Sequence, residues 1–187
     1  METSSPSSTS QHTAEPRASS TRNALALLAL VGSTALALCL VPPSAWGQLH
    51  EPSVRAAGLM VVVLVAILVL RGRAGRGARL ERQLLCGFLA AMPLVYLESG
   101  LRHDASRWLF VESAGLVVFA GWAWLSYRRD ALWLALGIAA HGLLWDAWHH
   151  ASSYIPAWYA SACLVVDLGL ALYVLLQRER LAVRTGP

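Results

Sequence analysis

The sequence predicts an all-α, polytopic membrane bundle of six transmembrane helices with both termini in the cytoplasm. Three observations carry this. Of 187 residues, 56% are hydrophobic and 14% are charged, against roughly a quarter charged in an average soluble domain. The apolar residues fall in six runs, most of them near the ~20 residues that a helix needs to cross a bilayer. The arginines, in a chain with no lysine, crowd into alternate loops. So much apolar surface in so short a chain requires lipid as its solvent.

Met1 to Arg22 is rich in Ser and Thr with almost no large apolar residue, a composition that cannot bury enough surface to order itself. Residues 1–22 are therefore expected to be a disordered tail. The transmembrane domain covers 23–177, and a short cytoplasmic tail covers 178–187. The first run extends from Asn23 to Val41 and stops at Pro42-Pro43. A cleaved signal peptide, cut near Ala45, is the alternative for this run, although its length favours a span. The second run is Val54 to Leu70. The third, Leu84 to Leu97, is short, carries Pro93 and borrows residues from Arg79 onward; the proline should kink it. Trp108 to Tyr127, Ala131 to His149 and Trp158 to Gln177 complete the six.

Arginine placement tests this count. Arg17 and Arg22 precede the first helix. Arg71, Arg73, Arg76, Arg79 and Arg82 fill the loop between the second and third. Arg128 and Arg129 separate the fourth and fifth, and Arg178, Arg180 and Arg184 follow the sixth. The alternate loops hold only Arg55, Arg102 and Arg107. Six helices with cytoplasmic ends satisfy the positive-inside rule at every loop, which implies a multi-pass protein of the inner (plasma) membrane. The arginines lie between apolar runs and form no separate basic domain, so nucleic acid is excluded as a partner. The tryptophans Trp46, Trp108, Trp145, Trp148 and Trp158 near outer helix ends, and Trp122, Trp124 and Trp133 near inner ends, read as interfacial belts. Cys39, Cys86 and Cys163 lie in separate runs with no metal or disulfide spacing and read as packing residues.

The chemistry concentrates in His141-Gly142-Leu143-Leu144-Trp145-Asp146-Ala147-Trp148-His149-His150. Ionisable groups at membrane depth are expensive and mark functional sites by default. Alternate threading gathers Glu98, Glu112, His103, Asp104, Asp146, His149 and His150 at the outer side. His141 and Asp167 each lie nine residues in from an outer end, ~13 Å deep. The inner halves of the third to sixth helices hold no acid or histidine on this reading. At ~100° per residue, Ala135, Ala139, Gly142, Asp146, His149 and His150 share one face. Ala160, Cys163, Asp167 and Ala171 make a similar seam on the sixth helix, and small residues let two such seams meet closely. His141 stands about 140° from Asp146 in an α-helix, and is open to joining the site or pointing elsewhere.

Asp146 with His149 and His150 at i+3 and i+4 matches the carboxylate-x-x-His spacing with which helix bundles hold metal. The expected ligands are Asp146, His149 and His150, with Asp167, Glu112 and His141 as further ligands or their supports. Nitrogen and carboxylate donors suit zinc, iron or manganese. A metal-bound water there would hydrolyse a lipid or small amphiphile, and with iron oxidation is equally open. Two other readings stand beside this one: a proton- or ion-coupled transporter, and a structural or accessory membrane protein whose polar groups are hydrogen-bonding glue. No inverted repeat, nucleotide-binding loop or nucleophile elbow is visible in the sequence.

The pattern His141-x3-Trp145-Asp146-x2-His149-His150, followed by Ile155-Pro156-x-Trp158-Tyr159, Cys163 and Asp167, resembles a family of small bacterial integral-membrane proteins of unknown function. The resemblance covers mainly the last third of the chain. It implies several membrane helices and no particular activity. The His-His pair is similar on its face to membrane di-iron hydroxylases and desaturases. Those carry several His clusters, whereas this chain has six histidines, with His12 and His50 far from the pair, so that assignment is rejected.

Overall fold

The computed structural model describes residues 15–48, 50–71 and 76–182. Helix α1, Glu15–Leu40, begins eight residues before Asn23; the rest of the expected tail, Arg73 and Arg184 lie outside the described residues. Pro42 and Pro43 end α1, and a 3₁₀ turn over Pro43–Gly47 leads to α2, Pro52–Arg71. Proline at the first position of α2 costs nothing, since that N–H has no partner in a helix. Its buried seam, Val54, Ala57, Met60, Leu64 and Ile67, repeats every three or four residues as an α-helix requires.

The third span is α3, Arg76–Ala91, and α4, Leu94–Arg102. Pro93 has no N–H to give, so the helix breaks there, as the sequence predicts. A 3₁₀ turn over Ser106–Trp108 enters α5, Leu109–Arg128. The fifth span starts with α6, Ala131–Ala140, where the Asp130 carboxylate caps the Leu132 N–H at 2.7 Å. It then rewinds into a π-helical turn over His141–Asp146 before a last short turn, α7, Ala147–His149. The sixth span is α8, Ala157–Leu176, followed by α9, Arg178–Leu181. Six helical spans are long and apolar enough to cross a membrane.

Helix α8 is the axis of the bundle. Ala160, Ala162, Val166, Leu170, Tyr173 and Val174 are buried along it. α1 lies against it so closely that a Cβ on Gly169 would stand 2.0 Å from Ser33 Oγ and 2.9 Å from the Ala29 carbonyl oxygen. Ser33 and Thr34 hydroxyls donate back to the Leu30 carbonyl at 3.1 and 2.7 Å, which satisfies them within α1.

The up-and-down threading puts the arginine-rich loops at one end and the histidine cluster at the other. At the arginine end Arg22 pairs with Glu179 at 2.7 Å, and Arg71 donates to the Asn23 carbonyl at 2.8 Å. This end departs from the sequence reading. Arg82, expected in a loop, is 1% exposed, and Glu81 beside it is 0% exposed. An acid therefore is buried at this end, contrary to expectation. The reason is that α3 starts at Arg76, which draws both residues into the bundle.

Candidate metal centre

Three spans build the site at the histidine end: α4, the π-turn and α8. Winding the fifth span i→i+5 stacks residues five apart on one face, which an α-helix would hold about 140° apart. His141 and Asp146 thereby come together, with His141 Nδ1 at 3.4 Å from Asp146 Oδ1. Gly142 lets this turn approach α8, since a Cβ there would stand 2.9 Å from Asp167 Cβ. Asp167 Oδ2 lies 2.8 Å from His141 Nδ1. The two small-residue seams do meet at Gly142 and Asp167.

The three side chains are buried, at 1%, 0% and 2% exposed for His141, Asp146 and Asp167. One ligand atom from each lies within 4.8 Å of the others. Donors around a tetrahedral metal with ~2.1 Å bonds stand ~3.4 Å apart, so the group needs little adjustment to close on an ion. Tyr96 of α4 donates its hydroxyl to Asp146 Oδ1 at 2.5 Å. Asp146 Oδ2 and His141 Nε2 are buried without a hydrogen-bond partner. Among the described residues no arginine pairs with these acids. Two carboxyl groups thus face a single imidazole. The group could hold a metal ion, and histidine nitrogen with carboxylate oxygen is a donor set that zinc, iron and manganese accept.

Comparison of the chain with family models, with curated proteins and with solved structures finds no match.

The remaining expected ligands lie elsewhere. His149 and Glu112 form a second buried pair, both 0% exposed, with His149 Nε2 at 2.9 Å from Glu112 Oε1. His149 Nδ1 donates to the Trp145 carbonyl at 2.7 Å. That bond leaves Nε2 facing the Glu112 carboxyl and the Tyr154 hydroxyl, the latter at 3.2 Å. Tyr154, in the loop before α8, donates its hydroxyl to the same Glu112 oxygen. Burial and the Glu112 carboxylate push the Tyr154 phenol above its ordinary range. Tyr96 separates the two groups: its hydroxyl serves Asp146, while its ring stacks on His149 with centroids 4.0 Å apart. His149 is thus turned from Asp146 towards α5, and the i, i+3 spacing does not make the two share an ion. His150 is exposed and belongs to neither group. Glu98 pairs with Arg55 and Arg102 at the surface, and His103 lies 3.7 Å from Glu51.

Tyr96 and Tyr154 carry no motif and are not among the expected site residues. Their signal is general: a tyrosine near membrane depth needs a partner for its hydroxyl. Trp145, expected in the interfacial belt, packs inside. It lies against Phe119 and His149, at 5.8 and 5.4 Å between centroids, and over Gly115, where a Cβ would stand 2.2 Å from its ring. Cys86 and Cys163 are buried and unpaired, in accord with packing, whereas Cys39 is exposed on α1.

A cavity of about 290 Å³ reaches the site from α2 and α4. His141, Asp167, Tyr96 and Cys163 line its inner part, and Met60, Phe88 and Met92 make it apolar.

Proposed function

We propose that the protein is a membrane-embedded metalloprotein holding a divalent ion on His141, Asp146 and Asp167, and that it is an enzyme acting on an amphiphile that reaches this site through the cavity. The observation supporting this above all is the convergence of a buried His/Asp/Asp group whose ligand atoms lie within 4.8 Å, with no arginine paired to its acids among the described residues. A bound ion would supply Lewis acidity and activate a water at neutral pH. Both aspartates meet the His141 ring at Nδ1, at 2.8 and 3.4 Å, the side on which the three would close on an ion; Tyr96 orients the Asp146 carboxylate. The arginine distribution supports an extracytoplasmic position for this site.

Metal content by mass spectrometry of detergent-purified protein tests the reading. Near-stoichiometric zinc, iron or manganese is expected, lost in an Asp146→Ala/Asp167→Ala double variant and kept in His150→Gln. A metal-free wild-type protein that also takes up no added ion rejects it.

A proton relay is the second reading, favoured by the run of buried groups from Glu112 to Asp167. Its weak point is Tyr96, whose contact with His149 is a ring stack and carries no proton. Proton flux in proteoliposomes that disappears in Asp167→Asn would establish the relay instead.

A further inference from the structure

The cavity has three properties that together describe a ligand. First, Leu59 and Leu94 stand on its rim at 61% and 49% exposed. Both belong to spans, so this rim faces lipid and the opening is lateral, between α2 and α4. Second, its volume of about 290 Å³ equals roughly ten waters at ~30 Å³ each, room for one acyl segment and far too little for a two-chain lipid. Third, the charged groups at its mouth are Arg55 and Glu98. Glu98 is shared between the guanidinium groups of Arg55 and Arg102, so this trio has one more positive than negative charge.

We infer that the cavity takes one chain of an anionic, bilayer-resident amphiphile sideways between α2 and α4, with its headgroup on Arg55 and its acyl linkage beside His141 and Asp167. The register follows from depth. α2 and α8 both start at the histidine end, at Pro52 and Ala157. Arg55 is three residues into α2 and Asp167 ten residues into α8, a difference of about 10 Å at 1.5 Å per residue. A headgroup held by Arg55 therefore leaves the acyl linkage and first methylenes, rather than the phosphate, at the buried His/Asp/Asp group. A zwitterionic headgroup brings its own cation against Arg55 and gains less there. This deepens the proposed function and rests on it only for what happens to the bound chain; the binding itself stands on the cavity and its rim.

Native mass spectrometry tests the binding. The full chain is reconstituted in nanodiscs of phosphatidylcholine with a minor share of phosphatidylglycerol, and the lipid retained after release is weighed. Wild-type protein is expected to keep one phosphatidylglycerol, at least fivefold over its share in the disc. Arg55→Gln should bring this to parity. Ala56→Trp, which fills the cavity from α2, should abolish retention of either lipid, while Leu172→Trp on the exposed face of α8 should not. Parity in the wild type, or retention unchanged in Ala56→Trp, overturns the inference, and the second variant decides the matter if Arg55→Gln does not fold. A phosphatidylglycerol carrying a diazirine beside its acyl linkage is expected to label Cys163 or Asp167; label confined to residues around Arg55 overturns the register. Metal content of the same samples separates the two ideas. Metal without lipid preference sinks this inference alone, and lipid preference without metal sinks the metal reading alone.

Discussion

The two ends of the bundle bury acidic side chains in opposite ways. At the arginine end Glu81 is matched: Tyr173 donates to one carboxylate oxygen at 2.7 Å and Arg180 to the other at 2.5 Å. Arg82 gives its terminal nitrogens to the backbone carbonyls of Leu181 and Ser126, at 2.9 and 2.6 Å, and also to Arg129. Those carbonyls belong to the ends of α5 and α9, where helices leave acceptors unpaired. The guanidinium thus ties three spans by doing what a C-terminal cap does. At the histidine end two aspartates share one imidazole and one phenol, with no guanidinium against them among the described residues. The difference lies in whether positive charge and donors match the acids. On the proposed function, a matched cluster holds the fold together, whereas an unmatched one is a place for a cation.

The comparison is sharpened or broken by substitution, with the largest effect at the matched end. Arg82→Met removes several charge-assisted hydrogen bonds and strands their buried acceptors, which should cost about 3 kcal/mol or more, read as a lower thermal midpoint in detergent. A loss near that of a surface change would mean that the arginine end is not a clamp. Next comes the α1–α8 contact. Gly169→Ala puts a methyl group against Ser33 and a backbone carbonyl, and overpacking of this kind costs about 1–3 kcal/mol. Metal content per folded molecule should stay unchanged in that variant.

At the unmatched end stability and function should part company. Asp167→Asn keeps an acceptor for His141 Nδ1 and removes one of two adjacent buried carboxylates. Chelator-treated protein carrying it should melt within about 1 kcal/mol of chelator-treated wild type, or above it, because two adjacent buried carboxyl groups are held at a cost to stability. Its metal affinity should fall at least tenfold, measured by competition with a chelating dye. A large destabilisation of the metal-free protein would show the histidine end to be structural glue like its counterpart. Smallest of all, His150→Gln should change the melting midpoint by no more than about 0.5 kcal/mol, as expected for an exposed residue, and leave metal content intact.

Much of the fold is legible in the chain. The apolar runs, the alternating arginines and Pro93 fix six spans and one break, because bilayer thickness and proline geometry act on local sequence. The meeting of the Gly142 and Cys163–Asp167 seams is legible too, since small residues on a common helical face mark a close approach. The candidate site is legible in its constituents and not in its grouping. Glu112, His141, Asp146, His149 and Asp167 are all buried at one end, yet the i, i+3 spacing of Asp146 and His149 does not unite them, because the Tyr96 ring stands between, and a regular helix would hold His141 away from Asp146.

What the sequence determined by itself is therefore the number of spans, their breaks and the end at which the acids and histidines collect, all consequences of hydropathy and helical period within single segments. What only the tertiary structure decided is which of those groups touch. The π-turn places His141 over Asp146, Tyr96 from another span divides that pair from His149, and the early start of α3 draws Glu81 and Arg82 inside. Each depends on packing between helices distant in sequence. A one-residue change in winding, or one ring wedged between two side chains, alters neither hydropathy nor period, and so leaves no trace in the pattern of any single segment.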